Sequence, residues 1–222
     1  MNEPGVELAL CASGGDFDCA LRRADGELLR AAAKALPGTR PELATTVRDL
    51  FRAAGAQPEH LQAVHLDVGP GSYTGLRVAT TFVRTLAAWQ PLRLAVATSF
   101  ELHALAALLQ EPQLAGEEAC VLLAGRQEQA LLATVRLCAG IELVGAASAL
   151  ASADLARQLP AGRTVIVAPE FAPKVAAQLT GQRVIVAGSA GAPGLFAPQL
   201  RARPVAAALL EPLYLSGSYV DS

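Results

Sequence analysis

Long hydrophobic runs are missing from this sequence, and so is any sustained run of one charge. The longest apolar stretches, such as residues 104–109, reach six residues. A membrane-spanning helix needs roughly 20, so no span through a bilayer is expected. Lysine and arginine (18) nearly balance aspartate and glutamate (20), leaving a net charge of −2. The densest basic spots, Arg22-Arg23 and Arg201 with Arg203, read as solvated surface rather than a nucleic-acid footprint. Cysteine is sparse. Cys11, Cys19, Cys120 and Cys138 form no CxxC pair and have no histidine at ligand spacing, which argues against zinc, and no metal site is expected. Cys11 and Cys19 could meet across a hairpin, but small buried thiols are the preferred reading. His60, His65 and His103 are scattered, and each reads as core or surface rather than catalytic. The opening MNEPGVELAL carries no basic stretch ahead of an apolar one, so a cytoplasmic protein is expected.

What is present is apolar composition in short pieces. Hydrophobic residues make up 52% of 222, too many for a disordered chain. A chain of this size buries roughly 70% of its unfolded surface. Residues 6–12, 17–22 and 27–32 read as strands joined by Ser-Gly-Gly and Asp-Gly turns, an antiparallel meander. TRPE at 39–42 resembles a capping box, with Thr39 as cap, Pro41 in the first turn and Glu42 closing it. Leu43, Val47, Leu50, Phe51 and Ala54 then recur at helical spacing up to Gly55. A strand (61–68), a glycine-rich loop, a helix (75–90) and a strand (92–97) complete a β-β-β-α-β-α-β order. After an apolar helix (99–110) the pattern starts again. Strands are expected at 119–124, 129–136 and 141–145, then a helix at 151–159, a strand at 163–168, a helix at 170–180 and a strand at 183–187. The echo implies an α/β chain of two similar lobes, 1–98 and 99–204, with 205–222 docking back on the first.

The loop at 67–80, DVGPGSYTGLRVAT, is the densest signal. Gly69, Gly71 and Gly75 are spaced one residue longer than a dinucleotide fingerprint. No Gly-Lys-Ser/Thr follows to make a P-loop, and Ser72 in GSYTG is not a nucleophile elbow. In the helix after it, Val78, Trp89, Phe82, Leu86, Ala79, Val83, Leu76 and Ala87 share one arc. That arc covers roughly half the circumference, wider than the ~100° a helix needs to cover its own sheet. Thr80, Thr81, Thr85, Arg77 and Arg84 fill most of the other side. Either a further layer of the same chain covers the extra width, or a partner's helix does. Arg77 in the first turn opposes the helix dipole, so an acidic group, within the chain or across an interface, is expected to face it.

The nine residues Gly69, Pro70, Gly71, Ser72, Tyr73, Thr74, Gly75, Leu76 and Arg77 resemble the GPGSFTGLR signature of the TsaB (YeaZ) family. The tail EPLYL at 211–215 resembles that family's closing P-x-Y-L. The resemblance implies a two-lobed fold of the actin/Hsp70/sugar-kinase type. It also implies a non-catalytic subunit without a cofactor, serving formation of N6-threonylcarbamoyladenosine (t6A) in tRNA beside the anticodon. The implied partners are a TsaD-like transferase, which carries the metal, and a TsaE-like ATPase. A homodimer is possible in isolation, and tRNA is met mostly through the partner. On this reading Arg77, Val78, Thr81, Phe82, Thr85 and Leu86 form the partner face. Nucleotide-binding relatives carry Asp at the end of the first strand, where this chain has Cys11. Relatives with Asp-Ala-Arg in the second lobe find Ala124-Gly125-Arg126 here. Two alternatives stay open: a small-molecule kinase or ATPase of the same fold, for which Asp67 and Asp16 are the nearby carboxylates, and a self-associating module.

Overall fold

The computed structural model describes residues 5–33, 42–138 and 140–215. In chain order these form β1 (Val6–Cys11), β2 (Phe17–Arg22), β3 (Leu28–Ala33), α1 (Leu43–Ala53), β4 (Leu61–Asp67), α2 (Tyr73–Trp89) and β5 (Arg93–Ala97). Then come α3 (Ser99–Gln110), β6 (Glu118–Ala124), β7 (Gln129–Leu137), β8 (Ile141–Ala151), α4 (Leu155–Gln158), β9 (Thr164–Val167), α5 (Ala172–Val175) and β10 (Arg183–Val186). The one-turn α6 (Gly191–Gly194) and the two-residue β11 (Arg203–Pro204) follow.

Two mixed sheets result. One runs β11-β5-β4-β1-β2-β3, the other β10-β9-β6-β7-β8. In each, three antiparallel strands of a meander are followed outward from the first by two parallel ones. β1 and β6 therefore hold the same place in their sheets. This duplicated order is the actin/Hsp70/sugar-kinase-like topology expected from the sequence. Parallel strands need long crossovers, and α1 and α2 in the first sheet and the short α4 and α5 in the second lie on them.

Two compact units follow. The first gathers the described parts of Met1–Thr98 with Gly191–Ala197 and Ala202–Leu213; the second gathers those of Ser99–Ala190 with Pro198–Arg201, Tyr214 and Leu215. In the first unit the strand alternation sends Leu8, Leu10, Val64, Leu66 and Leu94 to one face, where they pack on Leu43, Val47, Leu50 and Phe51 of α1 and Ala79 and Val83 of α2. α1 stops because Gly55 takes φ +63, letting Ala56 N–H reach Phe51 O at 3.0 Å. Its start differs from the expected box. Thr39 and Pro41 lie outside the described residues, and Glu42 is the residue before the helix, its carbonyl accepting from Thr46 N–H at 3.0 Å.

In the second unit α3 has no polar face and is buried from Ser99 to Leu105, Glu101 and His103 included, as a helix apolar around most of its girth must be. The helices expected at 151–159 and 170–180 shrink to the four-residue α4 and α5, each beside a short 3₁₀ turn. β8 does not stop at residue 145 but keeps pairing with β7 as far as Gln129 opposite Ala151, and Ser152–Asp154 then form a 3₁₀ turn where the first of these helices was expected to begin. No helix among the described residues is long and apolar enough to cross a membrane.

All four cysteines are free. Leu10 sits opposite Cys19 and Cys11 opposite Asp18, so Cys11 and Cys19 point to opposite faces of the sheet. Cys11, Cys19 and Cys120 are buried and Cys138 is half-buried. Burial pushes the Cys19 thiol up to about 12, with Asp18 adding to it, and raises Cys11 and Cys120 as well. Cys138 should therefore react first with an aromatic disulfide reagent in the native protein. The other three should lag by at least about tenfold until denaturant is added, which a stopped-flow thiol titration reads directly.

Candidate docking site at the glycine loop and its helix

The loop is fixed from below by one carboxylate. Asp67, at the end of β4, is fully buried. Its Oδ1 accepts from Gly69 N–H at 2.8 Å and its Oδ2 from the Ser13 hydroxyl at 2.6 Å. Ser72 N–H then donates to Ser13 O at 2.7 Å. On the other flank Leu213 N–H donates to Val68 O at 2.7 Å.

These bonds explain the glycines. Gly69 takes φ +99, a conformation that side chains rarely adopt. A Cβ on Gly71 would overlap the Ser13 backbone, and one on Gly75 would overlap the carbonyl of Ala12. The loop is built to approach its own chain at the end of β1. Ser72 then caps α2, accepting from Gly75 N–H at 3.2 Å, so the helix starts at Tyr73, two residues before the expected start.

That start changes the surroundings of Arg77. It lies beyond the first turn, and no carboxylate among the described residues pairs with it. Instead its Nη1 donates to the Tyr73 hydroxyl at 2.8 Å, and the guanidinium sits 5.2 Å from that ring's centre. Among the described residues the phenol, not an acidic group, meets it.

Along α2 the sequence-named residues separate by depth. Leu76, Ala79 and Val83 are buried, while Arg77, Val78, Thr81 and Thr85 are exposed. Phe82 and Leu86 are half-buried, packed on the edge of the core. Thr80, expected on the polar side, is buried, its hydroxyl without a partner among the described residues. Thr85 satisfies its hydroxyl on Thr81 O at 2.9 Å. Arg84 reaches the carbonyls of Ala207 and Ala208 at 3.3 and 3.4 Å, so a later segment of the chain covers that flank.

The other flank stays open. Val78, Phe82, Leu86 and Trp89 form a stripe within roughly 80° of arc at helical winding. Val78 is 41% exposed and Trp89 58%. Beside the stripe, Phe82 and Leu86 form one wall of a groove of about 510 Å³, and Val47 and Phe51 of α1 the other. Sequence reasoning missed α1 as a contributor and Asp67 as the loop's anchor. The signals available were an Asp two residues before Gly69 and a Ser at the turn after β1.

Cys11 and Ala124 close β1 and β6, the equivalent strands of the two sheets. Neither supplies the hard oxygen that a metal–nucleotide grip requires. The Cys11 thiol is buried and held well above its ordinary pKa, by burial first and by Asp67 and Asp18 nearby. Asp67 serves the loop, and Asp18 binds Arg30 and the Ala192 N–H. Asp16 is exposed in the turn after β1. Among the described residues no group of three His, Cys, Asp or Glu is placed to hold a metal. The residues present do not fit that grip.

The model of the family described as "TsaD: tRNA N6-adenosine threonylcarbamoyltransferase" matches residues 40–145, a little under half of the chain and the stretch that contains the loop and α2. No curated protein sequence matches significantly. Two solved structures share the fold. One, described as an uncharacterized protein with similarity to peptidase YeaZ from Pseudomonas aeruginosa, is 21% identical with a TM-score of 0.77, over 96% of this chain and 100% of that one. The other, YeaZ from Pseudomonas aeruginosa, is 20% identical with a TM-score of 0.73, over 95% and 100%. The chain thus has the YeaZ (TsaB) fold over nearly its whole length.

The anchoring makes a differential prediction. Gly71→Ala and Gly75→Ala should each lower unfolding stability by about 1–3 kcal/mol in urea titrations, because backbone must move to admit the methyl group. Gly14→Ala, with open space around it, should change it by less than about 0.5 kcal/mol. Asp67→Ala, which leaves Gly69 N–H without its buried acceptor, should cost about 1–3 kcal/mol.

Proposed function

We propose that this chain is the non-catalytic, activating subunit of a complex that forms N6-threonylcarbamoyladenosine in tRNA, and that it docks a TsaD-like transferase through α2 and the groove beside it. The observation that carries the reading is the open Val78–Phe82–Leu86–Trp89 stripe, continuous with the apolar groove and held by a loop of the GPGSYTGLR type. The match of residues 40–145 to the TsaD family supports a role in that chemistry. The threonines beside the stripe are cheap to desolvate where, as at Thr85, the hydroxyl bonds back to the helix. Arg77, Thr81 and Thr85 form the polar rim, while Val78, Phe82 and Leu86, joined by Trp89, supply apolar contact.

The chain contributes no bond-making group on this reading, since Cys11 and Ala124 stand where a nucleotide's metal would be gripped. A TsaE-like ATPase joins the larger complex, and tRNA is met mainly through the transferase, consistent with a net charge of −2. The setting is cytoplasmic. In isolation the same stripe pairs two copies, so a homodimer is compatible with the reading. A kinase or ATPase of the same fold is the competing class, and it requires ATP turnover by the purified chain alone.

The test is association with the TsaD-like protein of the same organism, followed by reconstitution of tRNA modification with and without this chain. A stable complex by size exclusion and a modification rate that depends on the chain are expected. No association at micromolar concentration, or full modification without the chain, overturns the reading. Thr81→Glu, at an exposed position, should weaken association at least about tenfold with an unchanged circular dichroism spectrum. Trp89→Ala should cost about 2 kcal/mol of binding or more, as aromatic anchors at interface centres do.

A further inference from the structure

The face of the first sheet turned away from α1 and α2 has a different composition. Strand alternation places Glu7 (β1), Arg22 (β2), His65 (β4) and Arg93 (β5) there among alanines. α6 covers the β1–β3 side of this face. Toward β5 and β11 it is hollow, with a cavity of about 680 Å³ whose polar floor is those four side chains and whose walls include Ala63, Ala95, Pro204 and Val205.

The polar groups are locked to one another. Glu7 Oε2 accepts from Arg22 Nη2 at 2.5 Å and lies 3.3 Å from His65 Nε2; Glu7 Oε1 accepts from Arg93 Nη2 at 3.2 Å. Phe196 then braces two of them. The Arg22 guanidinium lies 4.4 Å from its ring centre, and His65 meets it edge-on at 5.1 Å. A guanidinium carries five N–H donors, and Glu7 takes one nitrogen of each arginine, so most donors of both remain unspent among the described residues. Burial works against the charge on Glu7, but hydrogen bonding to Arg22 and its charge prevail and hold the carboxyl below its ordinary value. Burial holds His65 below its own, against the pull of Glu7. At neutral pH the floor therefore holds two cations, one anion and a neutral ring, an excess of one positive charge.

We propose that this cavity binds a small molecule with an oxyanion head and a short apolar body, the head on Arg22 and Arg93 and the body against Ala63, Ala95, Pro204 and Val205. Planar guanidiniums recognise carboxylates and phosphates by paired hydrogen bonds. Here both are oriented in advance, by Glu7 from beneath and by Phe196 from the side. The site is separate from the docking stripe and does not depend on the function proposed above.

His65 is the built-in reporter, and with three histidines in the chain its ring resonances are readily assigned by NMR. At constant ionic strength and neutral pH the protein is titrated with sodium isobutyrate, sodium phosphate and, as a cationic counterpart, isopropylammonium chloride. Either anion should shift the His65 ring signals to saturation while those of His60 and His103 stay in place. Saturation by isobutyrate alone identifies a carboxylate site, and saturation by phosphate alone a phosphate site; each supports the proposal. Arg93→Gln, at a side chain 74% exposed, should keep the fold and weaken binding about tenfold or more, the loss of a charge-assisted contact. Arg22→Gln should do the same, and Arg157→Gln in the second unit should leave binding within about twofold. No saturable shift with either anion, an equal response to isopropylammonium, or undiminished binding in both Arg93→Gln and Arg22→Gln overturns it.

Discussion

The carboxylate of Asp67 is the tie on which the first unit's candidate docking surface depends. Itself fully buried, it holds Ser13, in the turn after one central strand, and Gly69, just past the end of the next, through two hydrogen bonds. Once those are fixed, Ser72 N–H has a partner in Ser13 O, and the Ser72 side chain is placed to cap α2. The helix axis follows from its cap, and the side of α2 that faces outward follows from the axis. A loop that carried side chains at Gly71 or Gly75 could not seat against β1, and the stripe would be turned. The glycines answer to the chain's own backbone, where phosphate loops use theirs for a ligand.

Two equivalent strand ends in the duplicated order carry no acidic group. In the two sheets the first strand of the meander ends at Cys11 and at Ala124, a thiol and a methyl. Burial keeps the thiol protonated, so it cannot act as a soft substitute for a carboxylate. The core beneath rests on Leu8, Leu10, Val64 and Leu66 rather than on these strand ends, so the residue type at the ends can vary without loss of the fold. Function can then move to a surface while the fold stays intact.

Local pattern carried most of the architecture and little of its long-range closure. The meander, α1, α3 and the duplicated strand order are legible because hairpin turns and helical spacing are local signals. Thr80 was misread because a polar residue at a core-facing angle looks like part of a polar face until the neighbouring segments are in place. The extension of β8 from residue 145 to Ala151 was equally hidden: a strand's length depends on its partner, and β7 extends β8 by register rather than by residue preference. The bonds from Asp67 to Ser13, 54 residues apart, and from Asp18 to Ala192, 174 apart, leave no periodic trace at all. The nine-residue motif pointed to the loop without revealing what holds it.

A strand's period of two lets one sheet keep two unrelated surfaces. Leu8 and Val64 face the helices, while their neighbours Glu7 and His65 face the hollow. A charge change at Glu7 or Arg93 alters the hollow without entering the core, and a change at Val78 or Trp89 alters the stripe without reaching the hollow. Their energetic coupling is limited to what the shared backbone transmits, and between well-separated sites that is small. The helix face is free to follow the shape of a partner, and the alanine-lined face is free to follow the charge of a small ligand. The packed leucine and valine layer between them constrains both.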